Sequence, residues 1–191
     1  MSIVIIPNRL KIIVDTREQL PYKFNNYSVE IISQKLDTGD YSLFGLEDYI
    51  SIERKMRNDF LLSITHDRER FFKELERMTS FKHRFIVVES SLDNTYNHVK
   101  NKTRIYPNSF NGTIARMGIS YGVPIYFTKD RRYAEDLTYR LLYLAHKDYL
   151  GQLELLRWIQ DWFIFLRFII FMVGVKMKKP LRSITANNIL Y

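Results

Sequence analysis

At 191 residues, with 46% hydrophobic and 15% aromatic side chains, the chain carries enough apolar material for one core of ordinary size plus an extension, which excludes a disordered polymer. A formal charge of +8 and a pI near 9.6 suit a polyanionic partner. There is no cysteine, and the four histidines (66, 83, 98 and 146) show no paired ligand spacing, so thiolate sites are excluded and any metal is held by oxygen.

Taken in order, Met1–Ile6 is apolar but too short for a signal peptide, which makes the cytoplasm the expected compartment. Leu10–Asp15 is a continuous apolar run of the kind that forms a strand buried on both faces, and it ends in the polar series Asp15-Thr16-Arg17-Glu18. Leu20-Pro21 marks a turn, and the stretch around Tyr27–Leu36 reads as a strand leading into Asp37-Thr38-Gly39. Tyr41–Phe44 and Tyr49–Ile52 are β-prone runs joined by the turn composition of Gly45–Asp48, which predicts a hairpin. Its entry carries Asp40 and its exit carries Glu53-Arg54-Lys55, so Asp40 and Glu53 converge at one end of an antiparallel pair. Two carboxylates held close repel unless a cation neutralises them, and a divalent ion taken through oxygen is the usual solution. Lys55, two residues beyond Glu53, points to the same face, where an ammonium can orient water or stabilise charge on a phosphate.

Further along, Asp59–Ile64 reads as a short helix with Asp59 as its N-cap. Asp67–Thr79 reads as an amphipathic helix with the stripe Phe71, Phe72, Leu75 and Met78. Phe85–Val88 is a buried strand closed by Glu89, for which a role beside the site is open. Leu92–Asn108 lacks a clear period and reads as a mobile basic loop, in which Lys100, Lys102 and Arg104 with the interleaved Tyr96 and Tyr106 are either simply solvated or track a nucleic-acid backbone. Ser109–Tyr121 is a helix capped by Gly122, Pro124–Phe127 a strand, and Asp130–Tyr149 a helix with the stripe Ala134, Leu137, Leu141, Leu144 and Ala145. No Gly-rich phosphate loop occurs, so use of nucleoside triphosphates is not indicated.

The order Gly39-Asp40, hairpin, Glu53-Arg54-Lys55, three residues, Asp59 resembles the signature of the XPF nuclease family, the junction-cutting endonucleases of DNA repair and recombination. The strand followed by Asp15-Thr16-Arg17-Glu18, the segment Thr65–Phe71 and the closing strand and helix resemble that family too, so the likeness covers Leu10–Tyr149. It implies an α/β, restriction-endonuclease-like fold, a central mixed sheet flanked by helices, with a helical C-terminal extension. It also implies a divalent-metal-dependent DNA endonuclease. By resemblance, Asp40 and Glu53 bind Mg²⁺ (with Mn²⁺ able to substitute) together with the backbone carbonyl of Arg54, Asp15 is a third carboxylate for the metal, Lys55 is catalytic and Asp59 completes the motif. Arg17 is then a candidate phosphate contact, Glu18 a supporting partner, and Arg70 a side chain that reaches a DNA phosphate.

The substrate so implied is branched or nicked DNA, cut in one strand near a junction; duplex cutting, resolution of four-way junctions and a catalytically silent DNA-binding scaffold are the alternatives. Partners are DNA and, since the family's final helices commonly form a dimer surface, a second copy or a nuclease partner subunit. The expected division is 1–150 for the nuclease domain and 151–191 for an apolar, basic helical extension. The relatives usually continue into tandem helix-hairpin-helix modules, whereas Gly174-Val175-Lys176 is at best one degenerate copy, so the pattern is that of a compact, phage-type member, placed in the host cytoplasm if viral. Trp162–Val175 is strongly apolar but is interrupted by Arg167 and falls short of the roughly 20 residues a membrane helix needs. Its wide apolar face calls for packing on the nuclease or on a second subunit, and Lys176–Arg182 either contacts phosphate or keeps the tail soluble.

Overall fold

The computed structural model of the chain describes residues 10–172, so Met1–Ile6, Gly174-Val175-Lys176 and Lys176–Arg182 lie outside the described residues. Six strands form one mixed sheet in the order β2-β1-β3-β4-β5-β6. They are β1 (Leu10–Val14), β2 (Val29–Ser33), β3 (Tyr41–Leu43), β4 (Ile50–Lys55), β5 (His83–Val88) and β6 (Ile125–Phe127). Strand β1 runs parallel to β2 and antiparallel to β3, β3 is antiparallel to β4, and β4, β5 and β6 are parallel. The helices are α1 (Arg57–Ser63), α2 (Arg68–Met78), α3 (Leu92–Lys102), α4 (Pro107–Tyr121) and α5 (Arg131–Met172).

Strand alternation divides the core between two faces. On one, Ile86 and Val88 pack with Phe60 and Leu61 of α1, Phe71, Leu75 and Met78 of α2, Val99 of α3, and Phe110 and Met117 of α4. Phe60 is the hub, edge-on to Phe71, Phe110 and Phe127 at centroid distances of 6.4, 6.4 and 5.7 Å. On the other, Tyr22 stacks on Tyr41 at 5.1 Å and Phe24 stands edge-on to both, while α5 buries Ala134, Thr138, Leu142 and Ala145.

The hairpin forms as its turn composition predicts, with β4 extended through Glu53-Arg54-Lys55, so these three side chains belong to a strand rather than to its exit. Gly39 fixes the entry: its φ is +83°, and a Cβ there would sit 2.3 Å from the Ser51 hydroxyl, so only glycine lets this turn lie against β4. Gly122 (φ +57°) caps α4, its N–H donating to the Gly118 carbonyl.

Four expectations are corrected. Most of the stretch 92–108 is helical rather than a mobile loop, with only 103–106 between α3 and α4: the Ser91 hydroxyl accepts the Asn94 N–H, Thr95 and Val99 one turn apart are buried, and Pro107 opens α4. Lys100 and Lys102 therefore ride the last turn of α3, and Arg104 stands just beyond it. Asp59 is not an N-cap, because α1 starts earlier, with Met56 at the cap and Asp59 in the first turn, where a carboxylate still favours the positive end of the helix dipole. The strand expected over Tyr27–Leu36 is confined to Val29–Ser33. In α5, Leu144 is exposed and the buried stripe passes through Thr138 and Leu142, and the helix continues past Tyr149 to Met172.

The chain divides into two units, with the boundary between Asp148 and Tyr149. In the second, Leu155, Trp158, Trp162, Ile164 and Phe165 are exposed. Among the described residues no helix is long and apolar enough to cross a membrane.

Candidate active site

Sheet register assembles the site. Val14 faces Tyr41 and Tyr41 faces Ile52 across two antiparallel pairs, so one residue further on Asp15 stands opposite Asp40 and Asp40 opposite Glu53. Backbone bonds extend both ladders to that row: the Asp15 N–H donates to the Asp40 carbonyl and the Asp40 N–H to the Ile52 carbonyl, each at 2.9 Å. Directly opposed residues share a face, so Asp15, Asp40 and Glu53 line up across three strands on the α1–α2 side, with Lys55 next along β4.

The row is not uniform. Asp15 is buried and already satisfied: Arg17 grips Oδ1 through Nε (2.7 Å) and Oδ2 through Nη2 (3.1 Å), and the N–H groups of Arg17 and Leu36 donate at 2.8 and 2.6 Å. Burial acts to raise its pKa, yet the Arg17 guanidinium and these N–H bonds prevail and hold it below the usual carboxylate range. Arg17 also donates to the Leu36 carbonyl at 2.7 Å, pinning the segment ahead of Gly39.

Asp40 and Glu53 are the reverse. Asp40 accepts the Arg54 N–H at 2.8 Å, but burial pushes it up to about 7, with the charges of Glu18 and Glu74 adding to the effect. Glu53 is pushed well above the carboxylate range by burial and then by Asp40. Lys55 Nζ donates to Glu53 Oε1 at 2.5 Å. Burial disfavours its charge, but Glu53, Glu74 and Asp40 outweigh that and raise it, so Lys55 is an ammonium throughout the neutral range. Glu74, on α2, bears electrostatically on all three of these groups. Nothing in its sequence setting marks it, since a glutamate on an amphipathic helix reads as solvated surface.

The side chain of Arg54 goes through to the opposite face. It donates to Glu89 at 2.7 and 3.1 Å and to Glu18 at 3.2 Å, while Arg131 at the start of α5 donates to the same Glu89 at 3.0 Å and to the carbonyls of Leu20 and Pro21. Both guanidinium groups lie over the Tyr22 ring, at 5.7 and 4.9 Å. Glu89 thus belongs to a buried ion network behind the strand.

Asp59 is exposed on α1 and Arg70 is exposed on α2, where it faces Asp67 at 3.6 Å. Lys100, Lys102 and Arg104 are exposed and have no ion pair among the described residues. None of these five contacts the Asp40–Glu53–Lys55 group through a hydrogen bond. Among the described residues no three acidic or histidine side chains gather closely enough to form a ready metal cage. The donor chemistry nevertheless fits a hard cation: two oxygen ligands that resist ionising side by side face each other across β3 and β4. The Arg54 carbonyl leaves the same strand edge as the N–H that meets Asp40.

Residues 14–141, more than half of the chain, match the ERCC4 domain. The chain belongs to the ERCC4 domain family. Its fold is similar to that of XPF from Aeropyrum pernix, with 25% identity and a TM-score of 0.58 over 71% of this chain and 61% of that one. It is also similar to XPF from Aeropyrum pernix in complex with DNA, again at 25% identity, with a TM-score of 0.57 over 73% of this chain and 66% of that one. A protein of Methanocaldococcus jannaschii named as an ATP-dependent RNA helicase is 31% identical over 144 residues, which cover 75% of this chain but 16% of that protein. The ERCC4 domain here spans less than two thirds of each of these relatives.

Proposed function

We propose that this ERCC4 domain is a divalent-metal-dependent endonuclease that hydrolyses DNA phosphodiester bonds, at branched DNA or at junctions between single and double strands. The observation that carries the reading is the pair Asp40 and Glu53, opposed on adjacent strands, held above their ordinary pKa, with the Lys55 ammonium beside them. Asp40, Glu53 and the Arg54 carbonyl would hold Mg²⁺ or Mn²⁺, while Asp15, whose two oxygens already accept four donors, would add negative charge in the same row. When bound, such an ion supplies a Lewis acid for the phosphate and lowers the pKa of water.

The chain's own residues do the rest. Lys55 is charged, so it is no general base; its ammonium orients the attacking water and stabilises the negative charge that grows on the phosphoryl oxygens as water adds and a P–O ester bond breaks. Arg17 holds Asp15 ionised and at the same time ties down the backbone before Gly39, keeping Asp40 in register. Lys100, Lys102 and Arg104, which have no ion pair among the described residues, would with the exposed Arg70 supply phosphate contacts, and Glu74 bears on the site from α2. The exposed apolar side chains of residues 153–165 suit a second subunit or a nuclease partner.

The test is cleavage of labelled flap, fork, four-way-junction and plain duplex DNA with Mg²⁺, Mn²⁺ or EDTA, comparing wild type with Asp40→Asn and Lys55→Ala. Metal-dependent cutting of the branched substrates, lost in both variants, is the expected result. A wild type that binds DNA and cuts nothing with either metal overturns the reading in favour of a DNA-binding scaffold.

A further inference from the structure

A cavity of about 630 Å³ opens beside α1, between it, the end of α3 and the start of α4, well within the ~300–1,000 Å³ of ligand clefts. Its floor is apolar, made by Leu61, Leu62 and Ile105, and no carboxylate is among its lining residues. The rim carries one permanent cation. Arg104 lines it, and partial burial followed by the charges of Arg57 and Lys102 keeps the His98 imidazole on the same rim below its ordinary pKa.

Over this rim stands Tyr106, which is 80% exposed and has no ring or hydrogen-bond partner for its side chain among the described residues. Its backbone is not loose, because it is the N-cap residue of α4, directly before Pro107. An exposed aromatic ring carried on a fixed backbone position beside an apolar floor, with the Arg104 guanidinium at the rim and no carboxylate among the described lining residues, fits a planar apolar ligand that carries anionic groups.

Position narrows the ligand further. The floor is supplied by α1, which begins two residues after Lys55. Leu61 and Leu62 lie on this seven-residue helix, so the chain that leaves Lys55 leads directly into the floor of the cavity.

We propose that this cavity receives an unpaired nucleotide of the DNA strand that passes the Asp40–Glu53–Lys55 site. The base rests on Leu61, Leu62 and Ile105 against the Tyr106 ring, and the flanking phosphates meet Arg104, Lys102 and Arg57. The inference rests on the nuclease reading for its substrate and adds the element that selects single-strand character, since a duplex keeps its bases stacked and cannot offer one to the cleft.

The test uses the full chain with Ca²⁺, so that binding is read without relying on cleavage. Forks carry 2-aminopurine at successive positions along the unpaired arm. Fluorescence should fall at one or two arm positions near the junction. Tyr106→Ala should abolish that quenching and weaken binding of armed DNA about tenfold, while Tyr106→Phe keeps both and blunt duplex is bound alike by all three proteins.

Quenching unchanged in Tyr106→Ala, or equal weakening on blunt duplex and on forks, overturns the proposal. So does a change of oligomeric state in Tyr106→Ala with DNA binding intact, which would make the cleft a protein contact. A wild type that quenches and binds as described but cuts nothing with Mn²⁺ sinks the nuclease reading alone. A wild type that cuts forks, with Tyr106→Ala indistinguishable in binding and cutting, sinks the cavity alone.

Discussion

At the end of β4, three consecutive residues are sent to opposite faces of the sheet, and the two faces solve the burial of charge differently. Behind the strand, Arg54 and Arg131 meet Glu89 and Glu18 in a closed set of ion pairs at 2.7 to 3.2 Å over the Tyr22 ring. In front, Glu53 and Asp40 share one ammonium, Lys55, with Glu74 adding further negative charge, and the carboxyls respond by holding on to protons. A closed network specifies geometry, whereas an excess of carboxylate leaves a standing demand for a cation. On the proposed function, the back face is scaffold and the front face carries the chemistry.

The largest effects are expected at the front and on rate. Lys55→Ala and Glu53→Gln should each lower cleavage by on the order of 10³-fold while the thermal melt shows a folded domain, since the charge they remove acts on the transition state. Loss of folding instead of rate would erase the distinction between the faces. At the back the order reverses. Glu89→Gln leaves Arg54 buried without its main partner and should cost about 3 kcal/mol, lowering the melting temperature by roughly 10 °C. A melting temperature that does not move would place Glu89 outside the scaffold.

A smaller effect has the opposite sign. The folded pKa of Asp40 is about 7 against an ordinary value of 3.8, so between those values the native state binds the extra proton. Stability contributed by the protonated carboxyl is complete below about pH 4 and is lost as pH rises through 7. Asp40→Asn cannot ionise, and in EDTA it should be about 2 kcal/mol more stable than wild type at pH 8 and no more stable at pH 4, as read by urea unfolding at both values. An equal difference at the two pH values would mean that Asp40 ionises freely. Smallest is Arg131→Met, whose side chain is 42% exposed and whose ion pair is partly screened; a loss of about 1 kcal/mol in the same unfolding experiment is expected.

Much of this was legible in the chain. Asp40, the hairpin and Glu53-Arg54-Lys55 follow from period and turn composition, and antiparallel geometry alone sets the two carboxylates face to face. The presence of strands β5 and β6 and the chain order of helices α1, α2 and α4 follow from buried runs and stripes. What was hidden depends on tertiary placement. The Thr95–Val99 stripe of α3 is too short and too polar to announce a helix, and Ser91 shows its capping role only once the helix exists. Glu74 comes near the site because α2 docks through Phe71 and Leu75, and Arg17 closes on Asp15 where its residue type alone reads as a phosphate contact. The Arg54–Glu89 pair joins residues 35 apart in sequence, brought together by the parallel register of β4 on β5.

A cation that fills the front face must displace protons from Asp40 and Glu53. Titrating the full chain with Mn²⁺ by calorimetry at pH 7, in two buffers of different ionisation enthalpy, measures both binding and proton release. The account predicts saturable binding with about one proton released per ion, and loss of both in Asp40→Asn. Mn²⁺ that binds Asp40→Asn as it binds wild type, or that binds wild type without releasing protons, would contradict it.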